Sequence, residues 1–230
     1  MDDHLRRLWR HRGTTLPTPR RGPRQQLDLD EILDAAIAIA DTSGLDAVST
    51  RAVAARFERT AMALYPYVGT KDNMVALMQD HASALPALQP GLRGWATGLF
   101  ELYLAHPWLT ERSWAQASQG PNEQDWMEAL LAILGGHPQR APAVTMLYAT
   151  VRATAQTAAA YRKLTPADEQ AWVAGAAPIP DFAERYPLST SLPPVATDWR
   201  DMPYAGLLAA VDVLATGLQL SRARPDRGPL

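Results

Sequence analysis

Cysteine is absent from the 230 residues, which excludes disulfides, thiolate zinc sites and cysteine nucleophiles together. Lysine is nearly absent: of the 22 Lys and Arg residues only Lys71 and Lys163 are lysines, and with abundant alanine this points to a bacterial genome of high GC content. No apolar run approaches the ~20 residues that cross a bilayer. The polar N-terminus has no apolar stretch behind it that would mark a secretion signal, so a cytoplasmic location is expected. The sequence also lacks a glycine-rich phosphate loop, a His-Glu-x-x-His pair and a Gly-x-Ser-x-Gly elbow, and its 5 histidines are scattered singly. No enzyme, metal or cofactor chemistry is therefore expected.

Strand-type alternation is missing as well, and what remains is helical throughout. Hydrophobic residues make up 47% of the chain, enough for a substantial core, and the formal net charge of -2 gives no overall bias toward nucleic acid. Charge is nevertheless uneven. Arg6, Arg7, Arg10, Arg12, Arg20, Arg21 and Arg24 crowd into residues 1–27 against Asp2 and Asp3. The stretch 13–27 mixes Pro, Gly and Arg without an apolar period, so residues 1–27 read as a flexible basic arm.

Asp28 followed by Glu31 forms a capping-box pattern ahead of Ile32, Leu33, Ala36, Ile37 and Ala40, and Gly44 ends that helix. Ser49 reads as the next N-cap, for a short helix to Phe57. Thr60 reads as the cap of a third helix that Pro66 should stop near Tyr65, and Thr70 as the cap of a fourth, through Met74, Leu77 and His81. Two short helices joined by a tight turn, packed on a preceding helix, make a helix-turn-helix, whose last helix is slim enough to enter the DNA major groove.

The residues suit that task. Thr50 and Arg51 lie in the first turn of the second helix, where open amides and a guanidinium favour phosphate or a base edge. Tyr65 and Tyr67 can each donate a hydroxyl to phosphate, and Lys71 offers a point charge at the start of the fourth helix. The run Thr60-Ala61-Met62-Ala63-Leu64-Tyr65-Pro66-Tyr67-Val68-Gly69-Thr70-Lys71, behind Thr50-Arg51-Ala52-Val53-Ala54, resembles the DNA-binding domain of the TetR family over about Leu29 to Leu77. The resemblance implies an all-α fold: a three-helix DNA-binding domain with a helix-turn-helix, and a helical ligand-binding and dimerisation domain. It puts Ala61, Met62 and Ala63 against base edges, where readout would use thymine methyls and close backbone approach. The segment Arg20-Arg21-Gly22-Pro23-Arg24 is similar to the basic extensions of some relatives, which reach along or into the minor groove. One departure stands out: the turn where relatives carry Leu-Gly-Val is Phe57-Glu58-Arg59, so its glycine is missing, and Glu58 is expected either to strain the turn or to repel phosphate, with Arg59 able to compensate.

Beyond a DNA-binding domain at 28–86, residues 87–221 read as a second helical domain and 222–230 as a disordered tail. Proline punctuation gives helices near 92–106, 108–118, 122–135, 141–163 and 166–176, a long loop over 177–200, and a last helix over 202–220. Leu104 to Leu109 and Phe182 to Leu188 are similar to the tetracycline-repressor-like C-terminal domain, which implies an effector pocket. Phe100, Tyr103, His106, Trp114, Trp126, Tyr148 and Trp172 are its candidate lining. Val144, Tyr148, Val151, Leu207, Leu208, Val211 and Leu214 form apolar stripes on two helices and are the candidate homodimer seam. The expected function is that of a repressor released from a palindromic operator by a small apolar or aromatic effector. The alternative is a helical protein that binds nucleic acid or a partner without an operator.

Overall fold

In a computed structural model of the chain, the residues described are 3–13, 27–112, 116–175 and 181–219. All regular structure among them is helical. Helix α2 (Leu29–Ser43) starts where Asp28 accepts from the Asp30 amide and ends at Gly44, whose φ of 83° reverses the chain. Its apolar period places Ile32, Leu33, Ala36, Ile37 and Ala40 inward. Against this face pack α3 (Thr50–Ala55), α4 (Ala61–Val68) and α5 (Lys71–Ala82), through Val53, Ala54, Leu64, Val68, Met74, Leu77 and Met78.

The second layer is built on α6 (Gly91–Ala105), α7 (Pro121–Leu134), α8 (Arg140–Tyr161) and α12 (Met202–Gly217). Trp95 sits edge-on to both Trp126 and Tyr148, and its indole donates to the Trp126 carbonyl at 3.0 Å. The Trp126 indole in turn donates to the Ser83 carbonyl at the end of α5, so both indole donors of this buried pair are satisfied within apolar surroundings. Helices α9 (Pro166–Gly175), α10 (Phe182–Arg185) and α11 (Pro187–Thr190) add nothing to the core among the residues described. No helix among those residues is long and apolar enough to cross a membrane.

Four expectations are corrected. The N-terminal stretch is not wholly an arm: Asp3–Leu8 forms helix α1, with Leu8 only 1% exposed. Burying that one side chain is worth about 1.5–3 kcal/mol, and the half-buried Trp9 packs on the same core beside it. Helix α4 runs through Pro66 to Val68, because the Gly69 amide still bonds to the Tyr65 carbonyl and the proline removes only one bond of a two-turn helix. Where a helix over 108–118 is expected, the described residues form a short 3-10 turn at Pro107–Glu111, and 113–115 lie outside them. Finally, the expected loop over 177–200 contains α10 and α11. Arg20, Arg21, Arg24, Trp114, the side chain of Trp172 and the tail 222–230 lie outside the described residues.

The proposed dimer stripes are corrected in part. Val151, Leu207 and Val211 are fully buried where α8 and α12 pack on each other and on α6, so they close the core of one subunit. Val144, Tyr148, Leu208 and Leu214 are half-buried beside them. The outward faces of the same helices carry Met146, Ala149 and Ala153 on α8, and Ala209, Ala210, Val213 and Gly217 on α12, with Val213 75% exposed.

Candidate nucleic-acid interface and effector cavity

Helix α3 is capped by Ser49, whose hydroxyl accepts from the Ala52 amide at 3.1 Å, and α5 by Thr70, whose hydroxyl accepts from the Asn73 amide at 3.2 Å. Thr60 makes no such side-chain bond at the start of α4, contrary to the sequence pattern, and its side chain is left exposed. Between α3 and α4 the chain closes a Schellman turn: the Arg59 amide bonds to the Ala54 carbonyl and the Glu58 amide to the Ala55 carbonyl. Glu58 occupies the left-handed position of that turn at φ 56°. Glycine is the usual residue there, so the strain expected from the sequence is present as backbone geometry.

This turn delivers α4 with one face inward and the other to solvent. Leu64 and Val68 are buried; Met62 is 74% exposed and Tyr65 45%. Ala61, Ala63 and Tyr67 are half-buried, so the exposed positions of the helix are Met62, Tyr65 and Pro66. Arg51 and Lys71, in the first turns of α3 and α5, are exposed, and Thr50 is half-buried beside Arg51. The surface thus offers three exposed cations, Arg51, Arg59 and Lys71, each within two residues of the start of a helix, where backbone amides and the helix dipole already favour an anion.

Helix α5 joins this surface to the second domain. Its last turns bring Gln79 and Ser83 to a cavity of about 100 Å³, walled also by Leu99, Leu102, Tyr103, Leu109, Trp126, Met127 and Tyr148, with Glu123, Gln124 and Arg152 as polar edges. Burial pushes the phenols of Tyr103 and Tyr148 up from the ordinary tyrosine range, so both stay protonated as donors. Gln79 donates to Glu123 and accepts from Arg112, and Glu123 also accepts from Ser118 and the Gln119 amide. Asp80, next along α5, accepts from the Asn122 and Glu123 amides at the start of α7, at 2.9 and 3.2 Å. The approach is so close that a Cβ at Gly120 would lie 2.2 Å from the Asp80 carboxylate, which only glycine avoids.

Of the expected cavity residues, Tyr103, Trp126 and Tyr148 line it. Phe100 instead stacks on Tyr204, and His106 pairs with Asp41 of α2 at 2.9 Å, beside a Trp108 indole that donates to the same carboxylate. Both are thus structural. Sequence reasoning misses the polar wall: Gln79, Glu123 and Arg152 follow the pattern of solvated helix faces, and only Arg152, one turn after Tyr148, carries a periodic signal. No cluster of His, Asp or Glu suited to a metal occurs among the described residues.

No protein-family model matches the chain. It is 36% identical over 126 residues to the HTH-type transcriptional repressor DrrR1 of Streptomyces coeruleorubidus, a match covering 50% of this chain and 46% of that protein. The chain spans about half the length of the curated relatives it matches, which are named as an HTH-type transcriptional repressor and an HTH-type transcriptional regulator. Among solved structures, the TetR regulator SCO7222 of Streptomyces coelicolor superposes with a TM-score of 0.63 at 21% identity, over 85% of this chain and 100% of that one. The S. coelicolor TetR family protein ActR, in complex with actinorhodin, superposes with a TM-score of 0.64 at 23% identity, over 84% of this chain and 96% of that one. The chain thus has the fold of solved TetR-family regulators, and over about half its length its sequence is similar to HTH-type transcriptional regulators.

Proposed function

We propose that the chain is a ligand-responsive transcriptional repressor of the bacterial cytoplasm, a homodimer that holds an inverted-repeat operator with two copies of α4. One observation carries the reading. A single helix, α5, begins at the exposed Lys71 of the DNA face and leads to Gln79 and Ser83 in the cavity wall. A rigid rod of 12 residues, ~18 Å long at ~1.5 Å per residue, cannot move at one end without moving at the other. A molecule that displaces the Gln79 contact with Glu123 therefore changes the presentation of α4 and α5 to DNA, the differential contact that allostery requires.

The cavity narrows the effector. Its aromatic and aliphatic walls favour a flat hydrophobic body, and Glu123, Arg152 and the two phenols favour polar substituents at its edge. At about 100 Å³ the cavity is below the ~300 Å³ lower limit of drug-sized pockets, so entry requires its walls, α7 among them, to yield. The ActR complex with actinorhodin supports a ligand role for this domain.

For the dimer, the outward faces of α8 and α12 are free of charge along Met146, Ala149, Ala153, Ala209, Ala210 and Val213, and small residues allow close helix approach. Val213→Arg should convert the dimer to a folded monomer in sedimentation at micromolar concentration; a dimer unchanged by it would remove α12 from the seam. The effector reading is tested by screening substituted aromatic compounds for quenching of Trp fluorescence together with release of a labelled operator. Compounds that quench through Trp126 without releasing DNA would separate the cavity from regulation and end the proposal.

A further inference from the structure

Three of the four arginines in residues 3–13, which composition marks as DNA-binding cations, have intramolecular partners instead. Arg7 donates to the Pro66 carbonyl in the last turn of α4 at 3.0 Å. Arg10 donates to Asp30 of α2 at 2.8 Å and meets His81 of α5 at 3.0 Å. Arg12 pairs with Asp125 of α7. Leu8, fully buried, pins the helix between these contacts. One six-residue helix with its following turn thus touches three helices of the DNA-binding domain and one of the cavity domain. The first of its contacts is on the recognition helix, and the last is two residues from Glu123 in the cavity wall.

We propose that residues 3–13 are an interdomain strap that positions the recognition helix relative to α7, with the Arg12–Asp125 pair as the link between DNA face and cavity. The inference rests on the repressor reading and adds a second route to the α5 rod. Helix α4 is short and carries an internal proline, so a guanidinium on an otherwise open carbonyl of its last turn fixes its tilt. The other end of the strap is anchored on α7, one wall of the cavity that an effector would enter. Motion of α7 then pulls on α4 directly, through side chains that differ from those of the Asp80 joint.

Linkage is reciprocal, so operator binding at α4 must be felt at α7, and no effector is needed for the test. The probe is an operator duplex obtained by selection from a random pool, and the readout is amide hydrogen exchange of the full chain with and without it. In the parent, the operator should change exchange over 121–127 by ~5-fold or more, within the usual range of allosteric coupling. Arg12→Ala and Asp125→Ala should each reduce that change to under about 2-fold at saturating operator. Both side chains are more than a third exposed, so these substitutions spare the core. The charge-swapped double variant, Arg12→Asp with Asp125→Arg, should restore it. If the change survives in either single variant, or the swap fails to restore it, the strap is only a brace and the inference is wrong. If the parent itself shows no change beyond residue 90 on binding operator, the interdomain coupling in the proposed function fails, and the strap fails with it.

Discussion

Glu58 offers a quantitative test of the helix-turn-helix geometry. At φ 56° it holds the left-handed position of the turn between α3 and α4, where a residue with a Cβ costs about 1–2 kcal/mol. Glycine removes that cost but gives back about 0.5–1 kcal/mol through the entropy of the unfolded chain. Glu58→Gly should therefore stabilise the protein by about 0.5–1 kcal/mol net, about 1–4 °C in Tm for a domain of this size. Glu58→Gln is the control: it removes the charge and keeps the Cβ, so its stability should match the parent. The difference between the two variants in urea unfolding isolates the backbone contribution. Both remove one negative charge per subunit beside the recognition helix, so both should bind operator more tightly at low salt. A Gly variant less stable than the Gln variant would show that the turn is not strained and refute the reasoning.

Two further outcomes follow from the geometry. If Lys71 meets a phosphate in each subunit of the proposed dimer, Lys71→Ala should make the log-log salt slope of operator binding shallower by about 1.8, at ~0.9 per contact; an unchanged slope would take Lys71 off the DNA. Asp80 is pushed up to about 6 by burial, against hydrogen bonds from the Glu123 and Asn122 amides that favour its charge. Its folded value lies above its ordinary one of 3.8, so the fold loses stability as pH rises from about 4 through 6, and the loss persists above that. Asp80→Asn should gain on the parent by an amount on the order of 1–3 kcal/mol between pH 4 and pH 8. A gain that does not grow with pH in urea unfolding would contradict the burial argument.

Features decided by a few neighbouring residues are legible in the sequence. Asp28, Ser49 and Thr70 cap the helices that their positions predict, and Gly44 stops α2, because a cap is decided within four residues of chain. The strain at Glu58 is legible for the same reason. Thr60 fails as a cap although its residue type is right, since nothing local decides whether the hydroxyl turns inward. The N-terminal helix is hidden because Arg dominates residues 6–12 and a Pro- and Gly-rich stretch follows it, while only Leu5, Leu8 and Trp9 carry an apolar period. His106 reads as a ligand contact because its partner, Asp41, is 65 residues away. Likewise the buried faces of α8 and α12 read the same whether they face another subunit or their own, since apolar periodicity does not name the partner.

The central claim is that α4 reads DNA, and Met62, the most exposed of its large apolar side chains, is where it is tested. Operators should be selected from a random duplex pool with the parent and with Met62→Gln, and the bound sites footprinted at base resolution. The account predicts that both yield inverted repeats with half-sites about 34–36 Å apart, differing in base preference at one symmetric pair of positions in the half-sites. Identical base preferences for the two proteins would contradict it, and would mean that another part of the chain does the reading.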